Sequence, residues 1–538
     1  MISESIRTLV EAAVSKLRDA QGWDLPEMPA FDVSRTKDEQ FGDWAVNVAM
    51  MLAKPLGKNP MEIAEAIKDE ILKQVQDDKM SFEKIEVARP GYINFFLSPA
   101  YLTAVLGEVL EKGEHFGDSE IGKGKKINNE FISANPVGPL HLGNGRGGFY
   151  GDAIARILRK TGHEVVNEYY VNDAGEQILV LGHSVLKDEQ AIYPGEYIDD
   201  LHERFGKQGG DVREVGERSA AYLLENDIKK TVSEEMRIAF DSWISEKKDI
   251  VETGLVDRAL AVFKEKGIAY ESEGALWLRT TDYGDDKDRV LVKQDGVRTY
   301  FASDCGYILH KMERGFDTLI VILGADHHGY TARFRAAAQA LGFAGEIRFF
   351  VVQLVRLMKD GKEVRMSKRA GNVVSIDELV RTVGHDAARF FFLMYSPDTH
   401  MNFDLGLAEE HSEKNPVYYV EYAHARLASI LRKAEEAGLS PGRGSLPLLV
   451  HPKEATLMRE LAFFPELLRT AAEQYAPHKL PTYAIRLADR LHSFYAECRV
   501  IDPENSELSQ ARLALVSGVK VVLKETLHVL GIDAPEKM

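Results

Sequence analysis

Ile132-Ser133-Ala134-Asn135-Pro136-Val137-Gly138-Pro139-Leu140-His141-Leu142-Gly143-Asn144-Gly145 decides how this chain folds. Before the turn, Lys126 to Ile132 alternates like a strand, and a helical pattern runs from about Gly148 to Lys160. The Pro/Gly segment between them makes a strand–turn–helix junction. Glycines there let a ligand approach the backbone, and a new helix aims unpaired N–H groups at anionic oxygens. The stretch is neither G-x-x-x-x-G-K-[ST] nor G-x-G-x-x-G. A histidine at such a helix start can donate to phosphate as negative charge develops. The junction therefore predicts a nucleoside triphosphate site.

A second stretch, Arg365-Met366-Ser367-Lys368-Arg369-Ala370-Gly371-Asn372, lies far downstream. Leu354 to Lys359 and Lys362 to Met366 flank Asp360-Gly361, a tight hairpin signal. A cationic loop at the end of a hairpin can neutralise a triphosphate as pyrophosphate leaves. In this order the two stretches resemble the HIGH and KMSKS signatures of class I aminoacyl-tRNA synthetases. Asn144 replaces the last His of the first signature, and Arg365 and Arg369 replace the outer residues of the second.

Composition bounds the rest. At 538 residues the chain is too long for one core, and three domains are expected. No run approaches ~18 uninterrupted apolar residues, so no membrane span is expected. Met1-Ile2-Ser3-Glu4-Ser5 carries no export signal. Cys305 and Cys498 are the only cysteines, which excludes a disulfide framework and fits a reducing, cytoplasmic setting. Lys and Arg number 67 against 84 Asp and Glu, a net charge of −17. That disfavours indiscriminate nucleic-acid binding, so no DNA partner is expected, while a local basic face can still hold one RNA.

Along the chain, residues 1–113 read as an α+β amino-terminal domain, with helices over Ile6 to Leu17, Trp44 to Leu56 and Pro60 to Val75. Ile85 to Ala88 and Tyr92 to Leu97 read as strands around Arg89-Pro90-Gly91. Residues 114–404 alternate strand and helix, the pattern of a Rossmann-like parallel α/β sheet, with strands over Lys126–Ile132, Glu164–Tyr170, Thr318–Leu323 and Ile347–Val352. An insertion at about 183–285 interrupts them. Its Arg213 to Lys266 part reads as helical and charged, a subdomain atop the sheet, and Asp295-Gly296 predicts a hairpin joining Val290–Lys293 to Val297–Ala302. Residues 405–538 read as an all-α bundle with helices over Tyr418–Glu436, Lys453–Gln474, Pro481–Glu497 and Leu508–Leu530.

The resemblance narrows further. Phe41-Gly42-Asp43-Trp44-Ala45-Val46-Asn47, Gly91-Tyr92-Ile93-Asn94-Phe95, Tyr169-Tyr170-Val171-Asn172-Asp173-Ala174-Gly175, Thr299-Tyr300-Phe301-Ala302-Ser303-Asp304, Gly324-Ala325-Asp326-His327-His328-Gly329-Tyr330 and Tyr422-Ala423-His424-Ala425-Arg426 follow one another as in bacterial-type arginyl-tRNA synthetases. The chain resembles that family along nearly its whole length, least in the charged insertion. It implies a ligase that joins L-arginine to arginine tRNA with ATP, Mg2+ arriving with the nucleotide, in a monomer. A non-catalytic tRNA-binding paralogue and another nucleotidyltransferase of the HIGH superfamily stand as alternatives.

A guanidinium is permanently cationic and presents five planar donors, so its pocket needs carboxylate acceptors. Tyr300 and Asp304 are four apart and would share one face if Ala302 opens a helix. The resemblance assigns them to the guanidinium end, with Glu130 lining the same pocket. It assigns Ser133, Ala134 and Asn135 to the α-amino and carboxylate end, with Asn144 where the family often has a substrate-touching His, and Asp326 or His327 as another α-amino contact. His141, Asn144 and Lys368 are the implied catalytic groups, and Pro139, Gly143, Met366 and Ser367 join them around ATP. Tyr418, Tyr419, Tyr422 and Arg426 could meet an RNA loop by stacking. Asp326-His327-His328 lacks a third ligand at zinc spacing, so protein residues alone are not expected to hold a metal.

Overall fold

The structure, a computed structural model, describes residues 2–23, 25, 27–74, 81–325, 329–364 and 374–538. The amino-terminal unit contains α1 (Ile2–Gln21), β1 (Val33–Arg35), β2 (Trp44–Val46), α2 (Val48–Leu56), α3 (Pro60–Gln74), β3 (Phe82–Ala88), β4 (Tyr92–Leu97) and α4 (Pro99–Lys112). Its antiparallel sheet has the order β1-β2-β4-β3. The helix expected over Trp44 to Leu56 begins only at Val48. Trp44 to Val46 pair with Phe95 to Ile93 and bury Trp44 and Val46. β-branched and aromatic residues with a free sheet edge beside them favour that pairing over helix.

The middle unit runs through β5 (Lys126–Glu130), α5 (Leu142–Lys160), β6 (Glu164–Val171), α6 (Glu176–Leu186), α7 (Glu196–Leu201), α8 (Val212–Leu223), β7 (Ser242–Ser245) and α9 (Leu255–Glu265). It continues with β8 (Ala269–Ser272), β9 (Ala275–Leu278), β10 (Arg289–Val292), α10 (Tyr300–Glu313), β11 (Thr318–Gly324), α11 (Tyr330–Leu341) and β12 (Glu346–Val352). Five strands form one parallel sheet in the order β12-β11-β5-β6-β7. The expected strands are therefore present, with one correction. Arg213 to Lys266 is not helical throughout, because Ser242 to Ser245 joins the sheet beside Glu168 to Val171. Four residues give too short an alternation to read; only the open edge of β6 makes them a strand. A second correction concerns Val297 to Ala302. Asp295-Gly296 does turn the chain, and Lys293 donates to Val297, but the return is a single bridge, Val292 to Arg298. The Thr299 hydroxyl then caps α10, accepting from Ala302 N–H, so the helix opens at Tyr300.

β13 (Val355–Lys359) and β14 (Lys362–Glu363) pair across Asp360-Gly361, both with positive φ (52° and 74°), as an Asp-Gly hairpin requires. α12 (Ile376–Val383), α13 (His385–Leu393), β15 (Met401–Asp404) and α14 (Leu405–Glu409) lead to the carboxy-terminal bundle. That bundle is α15 (Pro416–Glu436), α16 (Pro452–Glu473), α17 (Lys479–Glu497) and α18 (Ser506–Leu530), which matches the four helices expected.

Helix α5 ties these units together. Cβ atoms added at Gly145 and Gly151 would fall 2.4 Å from Ile376 and from Phe131, so only glycine admits so close an approach. Farther along, the Tyr150 hydroxyl donates to Tyr475 O (2.7 Å) in the bundle, and Lys160 pairs with Glu525 (3.1 Å). Buried Arg389 donates to both Asp152 of α5 and Leu530 O of α18. Amino-terminal and bundle units also meet directly, through a two-bond pair between Arg35 and buried Glu460 (2.9 and 2.7 Å).

Candidate active site

The loop between β5 and α5 shapes one wall of the site, and its far end is chemically specific. Gly143 and Asn144 N–H donate to His141 Nδ1 (3.0 and 3.3 Å), while His141 N–H donates to Asn144 Oδ1 (3.0 Å). This reciprocal cap satisfies orphan donors of the first turn. It also fixes the tautomer. A ring nitrogen that accepts carries no proton, so the neutral imidazole is protonated at Nε2, which is a donor. Gly143 has to be glycine because a Cβ would lie 2.9 Å from the imidazole. Asn144 uses its carbonyl oxygen for the cap and keeps its amide donors for other work.

At its near end the same loop is strained. Ile132 and Ser133 have φ of 67° and 40°, the left-handed region that a β-branched residue rarely enters. Each such residue costs on the order of 1–3 kcal/mol and persists only where its surroundings enforce it. Here they do: Ser133 Oγ donates to Glu130 Oε1 (3.0 Å) and accepts from Tyr170 N–H (3.1 Å). The Tyr169 hydroxyl lies 3.2 Å from both N and O of Ala134. Asn135 donates to Gln177 of α6.

Facing this turn is α10, whose Tyr300, Asp304, Tyr307 and Lys311 fall on one side. Asp304 accepts from the Tyr330 hydroxyl (3.4 Å). Burial pushes its carboxyl up to about 7, against the pull of Arg333 and with the push of Glu246 and Glu130. Tyr300 is 57% exposed, and its hydroxyl accepts from Glu176 N–H (3.1 Å), which lays the ring over the loop after β6. Glu246, just after β7, is buried, and burial holds it above the usual carboxylate range despite hydrogen bonds with Ser303 and Tyr170. Glu246 was missed in the sequence because β7 was. The short alternation Ser242-Trp243-Ile244-Ser245 was the one available signal.

Glu130 behaves differently from Asp304. Its Oε2 accepts from Lys311 Nζ (2.6 Å) and lies 3.1 Å from the Tyr307 hydroxyl, and its Oε1 accepts from Ser133. Both oxygens are thus engaged inside the protein, whereas Asp304 and Glu246 are the acids left without a close lysine among the described residues. Asp304 and Glu246, electrostatically coupled and both above their ordinary pKa, suit a cationic planar side chain.

Met366, Ser367 and Lys368, like Asp326, His327 and His328, lie outside the described residues. No cluster of three metal-ligating side chains occurs among the described residues, and no described helix is long and apolar enough to cross a membrane.

In the bundle, Tyr422, Arg426, Arg432, Lys433, Tyr495, Arg499 and Lys537 are among the residues lining an open recess of about 910 Å³. The Arg426 guanidinium stacks 4.1 Å from the centre of the Tyr495 ring. Tyr419 instead bonds Asp489 (2.7 Å) and packs on His492, and Tyr418 lies edge-on to His411, so these two fall outside the recess.

Comparison with known proteins agrees with this layout. Family models match residues 4–97 ("Arginyl tRNA synthetase N terminal domain"), 105–214 with 208–390 ("tRNA synthetases class I (R), catalytic domain") and 420–538 ("DALR anticodon binding domain"). The arginine–tRNA ligase of Bacillus velezensis is 43% identical over 558 residues, covering 100% of this chain and 99% of that one. That of Shouchella clausii is 44% identical over 95% of both chains. The fold matches that of Thermus thermophilus arginyl-tRNA synthetase at a TM-score of 0.76 and 24% identity, with 100% of each chain covered.

Proposed function

Because the chain belongs to the arginyl-tRNA synthetase family of class I synthetases, we propose that it activates L-arginine with ATP and transfers the arginyl group to the 3′ end of arginine tRNA. The substrate carboxylate attacks the α-phosphate of Mg·ATP in line, giving arginyl-adenylate and pyrophosphate. A ribose hydroxyl of the terminal tRNA adenosine then attacks the activated carbonyl and AMP leaves. No protein nucleophile takes part, so catalysis consists of positioning and electrostatics.

One observation carries this reading. A single loop, 131–141, holds the Glu130–Ser133 group facing Asp304 at one end and the capped His141 at the other. One loop thus links a set of cation acceptors to a helix start with an Nε2–H donor, the two features that a reaction between an arginine carboxylate and an ATP α-phosphate calls for. In this reading Asp304, Tyr300 and Glu246 receive the guanidinium, and Ser133, Ala134 and Asn135 receive the amino-acid end, with Asp326 or His327 as a further contact. Pro139, His141, Gly143 and Asn144 cradle the triphosphate, joined by Met366, Ser367 and Lys368, whose ammonium balances the departing pyrophosphate. Tyr422 and Arg426, with Tyr495 beside them, offer rings and cations to the anticodon loop. We take a monomer in the cytoplasm as the working unit.

Aminoacylation of total tRNA with each amino acid in turn tests the proposal. Charging is expected with arginine alone, and pyrophosphate exchange is expected to need tRNA. Charging with another amino acid, or none at all, would overturn it.

A further inference from the structure

Beneath the recess lies a lysine that no sequence signature singled out. Lys311 is fully buried, and its ammonium donates to Asn128 Oδ1 and Glu130 Oε2 (2.6 Å each) and lies 3.4 Å from Glu168 Oε1. Glu130 and Glu168 are direct partners on adjacent strands β5 and β6. Like charges so placed repel, and Lys311 stands between them. The Tyr307 hydroxyl, one turn earlier on α10, donates to Glu168 Oε1 (2.6 Å). Glu168 is completed by Ser242 (2.9 Å) and Arg314, so it can hold its charge without Lys311. Glu130 has no second cation among the described residues. Its other oxygen, Oε1, is the one that holds Ser133, and Ser133 holds the left-handed turn.

We propose that Lys311 is a positioning and specificity residue: through Glu130 and Ser133 it fixes the turn at the amino-acid end of the substrate relative to Asp304, which stands on the same helix as Lys311. One helix, α10, then carries both the guanidinium acceptor and the anchor of the opposite wall. The distance between the two ends of the recess is set by that helix, and with it the length of side chain accepted. The inference rests on the arginine reading of the site.

The test measures tRNA-dependent pyrophosphate exchange by the full chain with arginine and with homoarginine, one methylene longer, for the wild type and Lys311→Met. Wild type that does not activate arginine defeats the underlying reading. With wild type active, Lys311→Met is expected to raise the arginine KM by about 10- to 100-fold, the scale of a misplacement near 1 Å. The ATP KM should stay within about twofold. One methylene is normally worth about 10–200-fold in discrimination, and the arginine-to-homoarginine ratio of kcat/KM should fall by about tenfold in the variant. Should Lys311→Met fail to fold, K311M/E168Q removes the acid opposite Glu130 and carries the same expectations. An unchanged arginine KM, an unchanged homoarginine ratio, or equal rises in the arginine and ATP KM would each overturn the inference.

Discussion

The recess around Asp304 and the recess around Arg426 are opposites in one molecule. The first gathers the carboxylates of Asp304, Glu246 and Glu130, with tyrosine hydroxyls and backbone N–H groups bonded around them. The second is open to solvent and carries Arg426, Arg432, Lys433, Arg499 and Lys537 beside Tyr422 and Tyr495. A chain with a net charge of −17 thus collects cations in one place and concentrates acids in another. The difference follows from what each is proposed to hold. A small permanent cation is selected by desolvated, fixed acceptors. A flexible polyanion is held by mobile cations and ring faces that water still reaches. Substitutions in the first should therefore give large effects confined to one substrate, and substitutions in the second smaller, salt-dependent ones.

The largest expected effect comes from Asp304→Asn, which keeps shape and removes charge. Hydrogen bonds to a charged group contribute about 1.5–3 kcal/mol each. Arginine kcat/KM should therefore fall by roughly 10²-fold or more while the ATP KM holds; equal losses for both substrates would erase the contrast. Next is His141→Asn. Asparagine is a good N-cap, so the helix start survives, but no Nε2–H remains. The adenylation rate should fall on the order of 10²-fold with arginine affinity nearly unchanged. A large loss of arginine binding at normal turnover would remove His141 from its role.

A pH profile sharpens the comparison without mutation. Burial, opposed by Arg333, holds the Asp304 carboxyl at about 7 in the chain by itself. An arriving guanidinium favours the ionised form, so binding below pH 7 must release a proton. Arginine affinity should be full above that value and fall by about tenfold per unit below it, whereas tRNA affinity should not follow the same curve. Isothermal titration in buffers of different ionisation enthalpy reads the proton directly. The smallest effects belong to the bundle. Tyr422→Ala should weaken tRNA binding by about 1–3 kcal/mol, and Arg426→Ala should mainly lower the salt slope by about 1. Arginine KM should move in neither, and tRNA affinity that does not change in Tyr422→Ala would remove that ring from the interface.

Much of this was legible in residue order. Alternation, apolar runs and helical period gave β5, β6, β11, β12 and the four bundle helices nearly to their ends, because β5 and β11 lie buried on both faces of the sheet and the bundle helices bury a stripe along their length. Asp-Gly pairs marked both turns. The strand Trp44 to Val46 and the strand Ser242 to Ser245 were not legible, since three or four residues cannot display a period and both depend on a neighbour's edge. At the site, Tyr300 and Asp304 could be paired by spacing on α10. Tyr418 and Tyr422 looked equivalent, yet the first packs against His411 and only the second lines the recess.

Sequence by itself determined the strand–turn–helix junction, the histidine at its end, the acid on α10 and the order of the domains, because those depend on neighbours along the chain. Tertiary structure alone decided that His141 presents Nε2 as donor, that Glu246 joins the acids, and that Glu130 answers to Lys311. Charges far apart in the sequence acquire a role only when a sheet and a helix bring them into one desolvated space, where a few ångströms decide which carboxylate is paired and which is left for a ligand.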